Sequence, residues 1–297
     1  MNEKSKIVII GGGQAAVYAA KEIRKYDQYS NIKIISEENE IAYEKPPLSK
    51  DYLINKKKFE DFLFFPINFY SDNNIEYIKN NKIIDVDFIK KELISNKKEK
   101  FIFDKLLIAT GSVNRKLDLK LTNNHDKILY LRNNLDSEII KSKIQTSNKV
   151  LIIGGGFIGL EIASSCRSLG KETHLIEMGE QLMGRSIPKK ISKICKDVHE
   201  KNGNIIYLNT KVNDIENYQN SFKVKLSNDK TIIADLIIVG IGSVASTDLF
   251  INKGIKINNG ISTNQYCETS LPDVYAAGDI SNFYHPFYKK FLRLESY

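Results

Sequence analysis

The chain has 297 residues, 42% hydrophobic and 27% charged, an ordinary globular balance long enough for about two cored domains. No apolar run approaches the roughly 20 residues that span a bilayer, and the N-terminus lacks a secretory pattern; both argue against a membrane protein and for a soluble, cytoplasmic one. The net charge of +8 is spread over lysines such as Lys56–Lys58 and Lys97–Lys98, which are not interleaved with aromatics; this disfavours a nucleic-acid platform and leaves an acidic protein partner open.

In chain order, the apolar run Ile7–Ile10 reads as a buried parallel strand ending in Gly11-Gly12-Gly13-Gln14-Ala15-Ala16, with a helix from Ala15 to Tyr26. A strand Ile32–Ile35 delivers Glu37 and Glu38, an acidic pair where a ribose hydroxyl needs an acceptor. Pro46-Pro47 interrupts the chain, and a helical pattern follows over Leu48–Ile54. Short strands are expected at Ile75–Ile78, Ile83–Phe88 and Phe101–Phe103, then a strand Lys105–Ala109 running into Thr110-Gly111-Ser112. Beyond a polar linker, Val150–Ile153 repeats the first pattern with Gly154-Gly155-Gly156-Phe157-Ile158-Gly159, a helix to Leu169 capped by Gly170, and a strand Thr173–Ile176 ending at Glu177. Strands are further expected at Ile205–Leu208, Phe222–Leu226 and Leu236–Val239, and Asp273–Asp279 reads as a strand that brings an acid beside Gly278.

Each glycine run combines a residue for the tight turn, one for close approach of backbone to phosphate and a small residue for helix-on-strand packing. The third role falls to Ala16 in the first run and Gly159 in the second. One such run is weak evidence; two in the same strand–turn–helix setting, each followed by an acid, predict two dinucleotides and electron transfer between them. A carboxylate at Glu177 accepts from a 2′-hydroxyl and repels a 2′-phosphate, which favours NADH over NADPH, although Arg185 nearby pulls the other way. Cys166, Cys195 and Cys267 form no paired motif, so neither a metal site nor a disulfide framework is expected, and His125, His174, His199 and His285 are scattered.

The chain resembles the FAD-dependent NAD(P)H:ferredoxin reductases of the putidaredoxin-reductase and oxygenase-coupled type, which share the two-dinucleotide fold of the glutathione-reductase superfamily. The resemblance rests on Gly11-x-Gly13-x-x-Ala16, Tyr43–Lys50, Ala109–Ser112, Gly154–Glu161, Gly240–Gly242, Ala276–Asp279 and Arg293–Ser296, in the family's order from end to end. It implies an α/β protein of two Rossmann-like domains of glutathione-reductase type, the NAD domain (113–242) inserted in the FAD domain (1–112 and 243–297). FAD then falls to Gly11, Gly13, Gln14, Ala15, Ala16, Glu37 or Glu38, Lys45, Pro46, Lys50, Ile83, Ala109, Thr110, Gly111, Arg132, Asp279 and Tyr297. NADH falls to Gly154, Gly156, Phe157, Ile158, Gly159, Glu177 and Gly242.

The resemblance also pairs Lys50 with Glu161 where nicotinamide meets flavin, the lysine offsetting the negative charge that grows as FAD accepts hydride. Relatives that work through a redox cysteine carry it in the loop that is Glu40–Pro46 here, and this loop has none. The implied activity is therefore electron transfer from NADH through FAD to a ferredoxin or rubredoxin-type carrier. The alternatives are an NADH oxidase or nitrite-reductase-type flavin subunit, or a truncated nucleotide-binding remnant. Lys45 stands where the family has arginine, and Asn114 and Ala245 where it has proline. Similar proteins continue past the Arg293–Ser296 segment with a C-terminal interface domain of about a hundred residues. This sequence ends at Tyr297 and contains no tryptophan, so that domain is expected to be absent.

Overall fold

The computed structural model describes residues 4–118 and 126–295, so Tyr297, Ser296 and His125 lie outside the described residues. The chain divides into two compact units. One comprises 4–44, 62–113 and 244–295, and the other 45–61, 114–118 and 126–243. Segment 45–61, placed by the sequence reading with the first part, groups with the second unit.

The first unit is built on a five-stranded sheet in the order Val274–Ala276, Lys105–Ile108, Lys6–Ile10, Asn31–Ile35, Ile75–Ile78. All its pairings are parallel. Parallel strands buried on both faces read as continuous apolar runs, and Ile7–Ile10 and Leu106–Ile108 are such runs. Helix Gln14–Tyr26 covers one face with Ala16, Val17 and Ala20, packed against Ile7, Ile9, Ile32 and Ile34. On the other face Val8, Ile10, Leu106 and Ile108 pack with Phe103, Phe250 and Ile261. An antiparallel sheet of Ile83–Asp87, Glu92–Ser95 and Lys100–Ile102 lends Ile83, Val86 and Leu93 to that core.

The second unit repeats the design, with parallel strands in the order Ile205–Tyr207, Glu172–Ile176, Lys149–Ile153, Leu236–Val239, Ile128–Tyr130. Helix Phe157–Ser168 packs on the sheet through Leu160, Ile162, Ala163 and Cys166. An antiparallel sheet of Val212–Tyr218, Ser221–Leu226 and Thr231–Ala234 closes the core with Phe222, Val224 and Ile232. The expected polar linker contains strand Ile128–Tyr130 and helix Asn134–Thr146, which starts at a capping box between Asn133 and Asp136. The helical pattern over Leu48–Ile54 is instead a 3-10 turn Pro46–Ser49 followed by turns: Leu48 N–H donates to Lys45 O and Lys50 N–H to Pro47 O, three-residue closures that build no α-helical ladder. Among the described residues no helix is long and apolar enough to cross a membrane.

In both sheets the strand preceding the glycines is the one from which the order departs in opposite directions. A crevice at the carboxyl end of such a strand is where open α/β sheets receive ligands.

Candidate functional site: two glycine turns at the sheet switch points

In the first unit Gly11 N–H donates to Ile35 O at 2.8 Å and its φ is +108°. A Cβ there would lie 2.2 Å from Ala109 O, so the Ala109-Thr110-Gly111 turn closes directly on the Gly11 backbone. Gly12 faces hydroxyls: a Cβ would meet Tyr77 Oη and Ser36 Oγ, and Tyr77 donates to Gly12 O at 3.0 Å. Burial keeps the Tyr77 phenol well above its usual pKa, a protonated donor at any ordinary pH. Gly13, the N-cap of helix Gln14–Tyr26, has extended backbone, no side chain capping it and nothing within 4 Å of its Cβ position. The first N–H groups of this helix therefore face open space, with the positive end of the macrodipole behind them.

Around that opening Ala15 Cβ stands 3.1 Å from the Cβ position of Gly278, whose φ is +80°. Asp279, next in the chain, accepts from Ser112 Oγ at 3.0 Å. Glu38 accepts from Tyr43 Oη at 2.5 Å, and its own N–H donates to Ser36 Oγ. Exposed Glu37 is tied to Lys82 at 3.1 Å. Gln14 is exposed at the helix start, Ala16 is buried, and Ile83 lies in the core with its side chain. Lys45, Pro46, Lys50 and Arg132 belong to the other unit.

In the second unit Gly154 has φ +112° and donates to Ile176 O at 2.8 Å; a Cβ would sit 2.3 Å from Gly240 O. At Gly159 a Cβ would sit 2.0 Å from Gly154 O, so helix and strand approach as closely as backbone allows. Gly156 is again an extended N-cap with nothing within 4 Å, and Phe157 and Ile158 follow, half-buried. Glu177 spans the turn, one carboxylate oxygen accepting from Gly155 N–H and the other from Gly179 N–H, each at 2.7 Å. Met183 N–H returns to Gly155 O at 2.8 Å, so the segment after Glu177 crosses the strand ends. Arg185 reaches within 4.0 Å of the Cβ position of Gly242, whose carbonyl accepts from Arg115 N–H at 3.0 Å.

The segment 45–61 carries a second constellation. Lys50 Nζ pairs with Glu161 Oε1 at 2.8 Å, and Ser49 Oγ donates to Glu161 Oε2 at 2.5 Å. The block is stapled to its unit by buried serines: Ser137 Oγ donates to Leu48 O at 2.8 Å and Ser165 Oγ to Ser49 O at 2.7 Å. Lys45 precedes the 3-10 turn and Pro46 is its first residue. Arg132 N–H donates to Asp136 at the cap of helix Asn134–Thr146. Ser49 stood in the Tyr43–Lys50 block without a role of its own, and Ser137 and Ser165 escaped the sequence reading because an isolated serine carries no positional signal. Beside Glu161 a cavity of about 230 Å³ is lined by Phe157, Leu160, Ser164, Met183, Cys195 and His199. Among the described residues no three acids, histidines or cysteines cluster as metal ligands. Cys166, Cys195 and Cys267 are free thiols, and burial pushes Cys166 up to about 12.

Both turns can hold a diphosphate: a positive-φ glycine and an extended glycine N-cap with nothing within 4 Å of its Cβ position recur in each. The family model for pyridine nucleotide-disulphide oxidoreductases matches residues 5–292. The chain belongs to that family. It is 31% identical over 291 residues to a rubredoxin-NAD(+) reductase of Pseudomonas putida, covering 98% of this chain and 75% of the relative. A ferredoxin reductase of Rhodopseudomonas palustris superposes with a TM-score of 0.93 at 29% identity, covering 99% of this chain and 72% of that one. Putidaredoxin reductase in its covalent complex with putidaredoxin gives 0.93 at 27% identity, with the same coverage. The chain thus spans about three quarters of the length of these relatives.

Proposed function

We propose that this protein is an NADH-dependent flavoprotein reductase that passes electrons through FAD to a ferredoxin or rubredoxin-type iron–sulfur carrier. The observation that carries the reading is the doubled cradle: two turns of matching geometry, each with an open helix N-terminus at a sheet switch point. The unit containing Gly11 is assigned FAD and the unit containing Gly154 NADH. FAD, when bound, supplies the chemistry that accepts hydride as an electron pair and releases electrons singly.

The remaining tasks belong to the chain's own residues. The first turn of helix Gln14–Tyr26 is assigned one diphosphate and the first turn of helix Phe157–Ser168 the other. Glu38 is assigned the adenosine ribose of FAD, because Tyr43 and Ser36 already fix its position. Asp279, held by Ser112, is assigned the ribityl chain, and Thr110, Gly111 and Ala109 form the wall of that cleft. Lys50 holds positive charge where negative charge develops, and Glu161 and Ser49 preorganise it. Glu177 is assigned the nicotinamide dinucleotide's adenosine ribose; its carboxylate, fixed by two backbone donors, resists a second anion and selects NADH. Unpaired thiols suit a cytoplasmic setting.

The test is direct. Purified protein supplied with FAD should be yellow, bleach on anaerobic addition of NADH, and regain colour when an oxidised ferredoxin or rubredoxin is added. Protein that stays colourless with excess FAD, or flavin that NADH does not reduce, overturns the reading.

A further inference from the structure

The first unit ends in a hairpin, Ser281–His285 with Lys290–Leu292, whose outer face is dressed in a way its fold does not require. Tyr284 lies opposite Phe291 and His285 opposite Lys290. Phe287 is 80% exposed, Leu294 59% and Tyr288 58%, with Tyr284 and Phe291 also exposed. These are not scattered side chains: ring centroids lie 5.6 Å apart for Tyr284–Phe291, 5.1 Å for Phe287–Tyr288 and 4.8 Å for His285–Tyr288. A contiguous exposed apolar patch of this kind is a binding surface or a liability. Lys289 and Lys290 stand exposed among the rings, and Glu295, the one acid in residues 281–295, is tied to Arg293. The patch is therefore aromatic and net positive.

It also abuts the assigned flavin cleft. Arg293 Nη1 donates to Asp279 O at 3.4 Å. At Gly260, φ +128°, a Cβ would lie 2.6 Å from Ile280 O and 3.4 Å from Arg293 Cδ, so this glycine lets the chain pack closely where the hairpin begins beside the Asp279 turn. The geometry points to this hairpin as the docking surface for an acidic iron–sulfur carrier, an inference that rests on the electron-transfer function above. Thiolate ligation gives such a cluster net negative charge, which the two lysines attract. The rings supply the rigid apolar anchors that dominate interface energetics. A second copy of this chain fits less well, because a two-fold contact would set the lysines of one copy against those of the other. Each encounter passes one electron, so NADH and two oxidised carriers give NAD⁺, two reduced carriers and a proton.

The test uses FAD-loaded protein with an acidic two-iron ferredoxin, and ferricyanide as an acceptor that needs no docking surface. Phe287→Ser combined with Tyr288→Ser should leave NADH–ferricyanide turnover unchanged and raise the KM for ferredoxin about tenfold. Lys290→Glu should raise it too and flatten its salt dependence. Calorimetric binding of the same ferredoxin tests the surface whether or not electrons flow: binding by wild type that both variants lose supports the proposal. Absent binding, equal binding by all three proteins, or unchanged ferredoxin kinetics overturns it. A wild-type dimer that Phe287→Ser disperses while ferredoxin kinetics hold would assign the patch to a second copy instead and likewise overturn it. Failure of ferricyanide turnover in wild type counts against the electron-transfer function itself, not against the surface.

Discussion

The turns at Gly11 and Gly154 share one backbone and differ in what faces it. Their φ values are +108° and +112°, and both N-caps are extended and open. The second glycine, however, meets hydroxyls from Tyr77 and Ser36 in the first turn and the Glu177 carboxylate in the second. The third small position is Ala16 in one and Gly159 in the other, where a methyl would strike Gly154 O. On the proposed function, the shared backbone is what would hold a diphosphate, and the facing side chains are what would choose the nucleotide. A carboxylate already donated to by two amides is a poor neighbour for a 2′-phosphate; in the first turn the carboxylate assigned to the ribose, Glu38, is held by the Tyr43 hydroxyl instead.

The strongest way to break this comparison is at the glycines. Gly154→Ala puts a methyl 2.3 Å from Gly240 O in a left-handed conformation and should cost its unit roughly 3 kcal/mol or more, read by thermal unfolding, with loss of NADH-driven flavin bleaching. Gly159→Ala should be nearly as damaging, whereas Ala16→Gly should cost only about 1 kcal/mol of helix propensity. Equal effects of the last two would show that the turns are not packed differently.

Next in size is Lys50. Its ion pair with Glu161 is part-exposed and contributes at most about 1 kcal/mol to folding, so Lys50→Ala should melt almost like wild type. Stopped-flow reduction by NADH should nonetheless slow about tenfold, or ~1.4 kcal/mol of barrier. Glu161→Gln, which can still accept from Ser49, should fall between. An unchanged rate in Lys50→Ala removes the lysine from the chemistry.

Glu177→Ala sharpens the contrast in nucleotide choice. Freeing Gly155 and Gly179 N–H should lower kcat/KM for NADH about tenfold while raising it for NADPH, as expected when a charged hydrogen bond is removed. Steady-state rates with both coenzymes decide it; parallel losses would make Glu177 purely structural.

What the sequence made legible follows from periodicity. Lys6–Ile10 and Lys149–Ile153 are buried on both faces, so each declares itself as an apolar run, and the glycines after them have a steric necessity visible without coordinates. Helix Asn134–Thr146 hid inside a polar stretch because it buries little beyond Ser137, Ile140 and Ile144. Helix Lys189–Lys201 was legible and passed over: Ile191, Ile194, Cys195 and Val198 follow helical spacing, although the fold buries only Ser192 of the helix and leaves Ile191, Ile194 and Val198 exposed. The Pro46–Lys50 block read as chemistry, and the resemblance supplied its tie to Glu161; its further ties through the single hydroxyls of Ser137 and Ser165 did not read, because tertiary packing places them.

The smallest expected effect separates the two units at their helix ends. Helix Phe157–Ser168 is followed by Gly170 at φ +74°, with Arg167 donating to Lys171 O at 2.6 Å but no acid between Arg167 and Lys171. Helix Gln14–Tyr26 ends instead on Asp27, whose carboxylate accepts from Ser30 Oγ, Ser30 N–H and Tyr29 N–H, while buried Arg24 donates to the carbonyls of Asp27, Ser30, Asn73 and Asn74. The Ser30 bonds, then Tyr29, hold the Asp27 pKa down at about 2 against an ordinary 3.8. A lowered folded-state pKa adds stability above the unfolded value, and that contribution disappears as pH falls through the folded one. Asp27→Asn should therefore destabilise the first unit at neutral pH by a few tenths to about 1 kcal/mol, solvent screening keeping it small. The gap from wild type should hold down to about pH 4 and close toward pH 2 in denaturant titrations. A gap independent of pH would assign the turn's stability to the Arg24 hydrogen bonds alone.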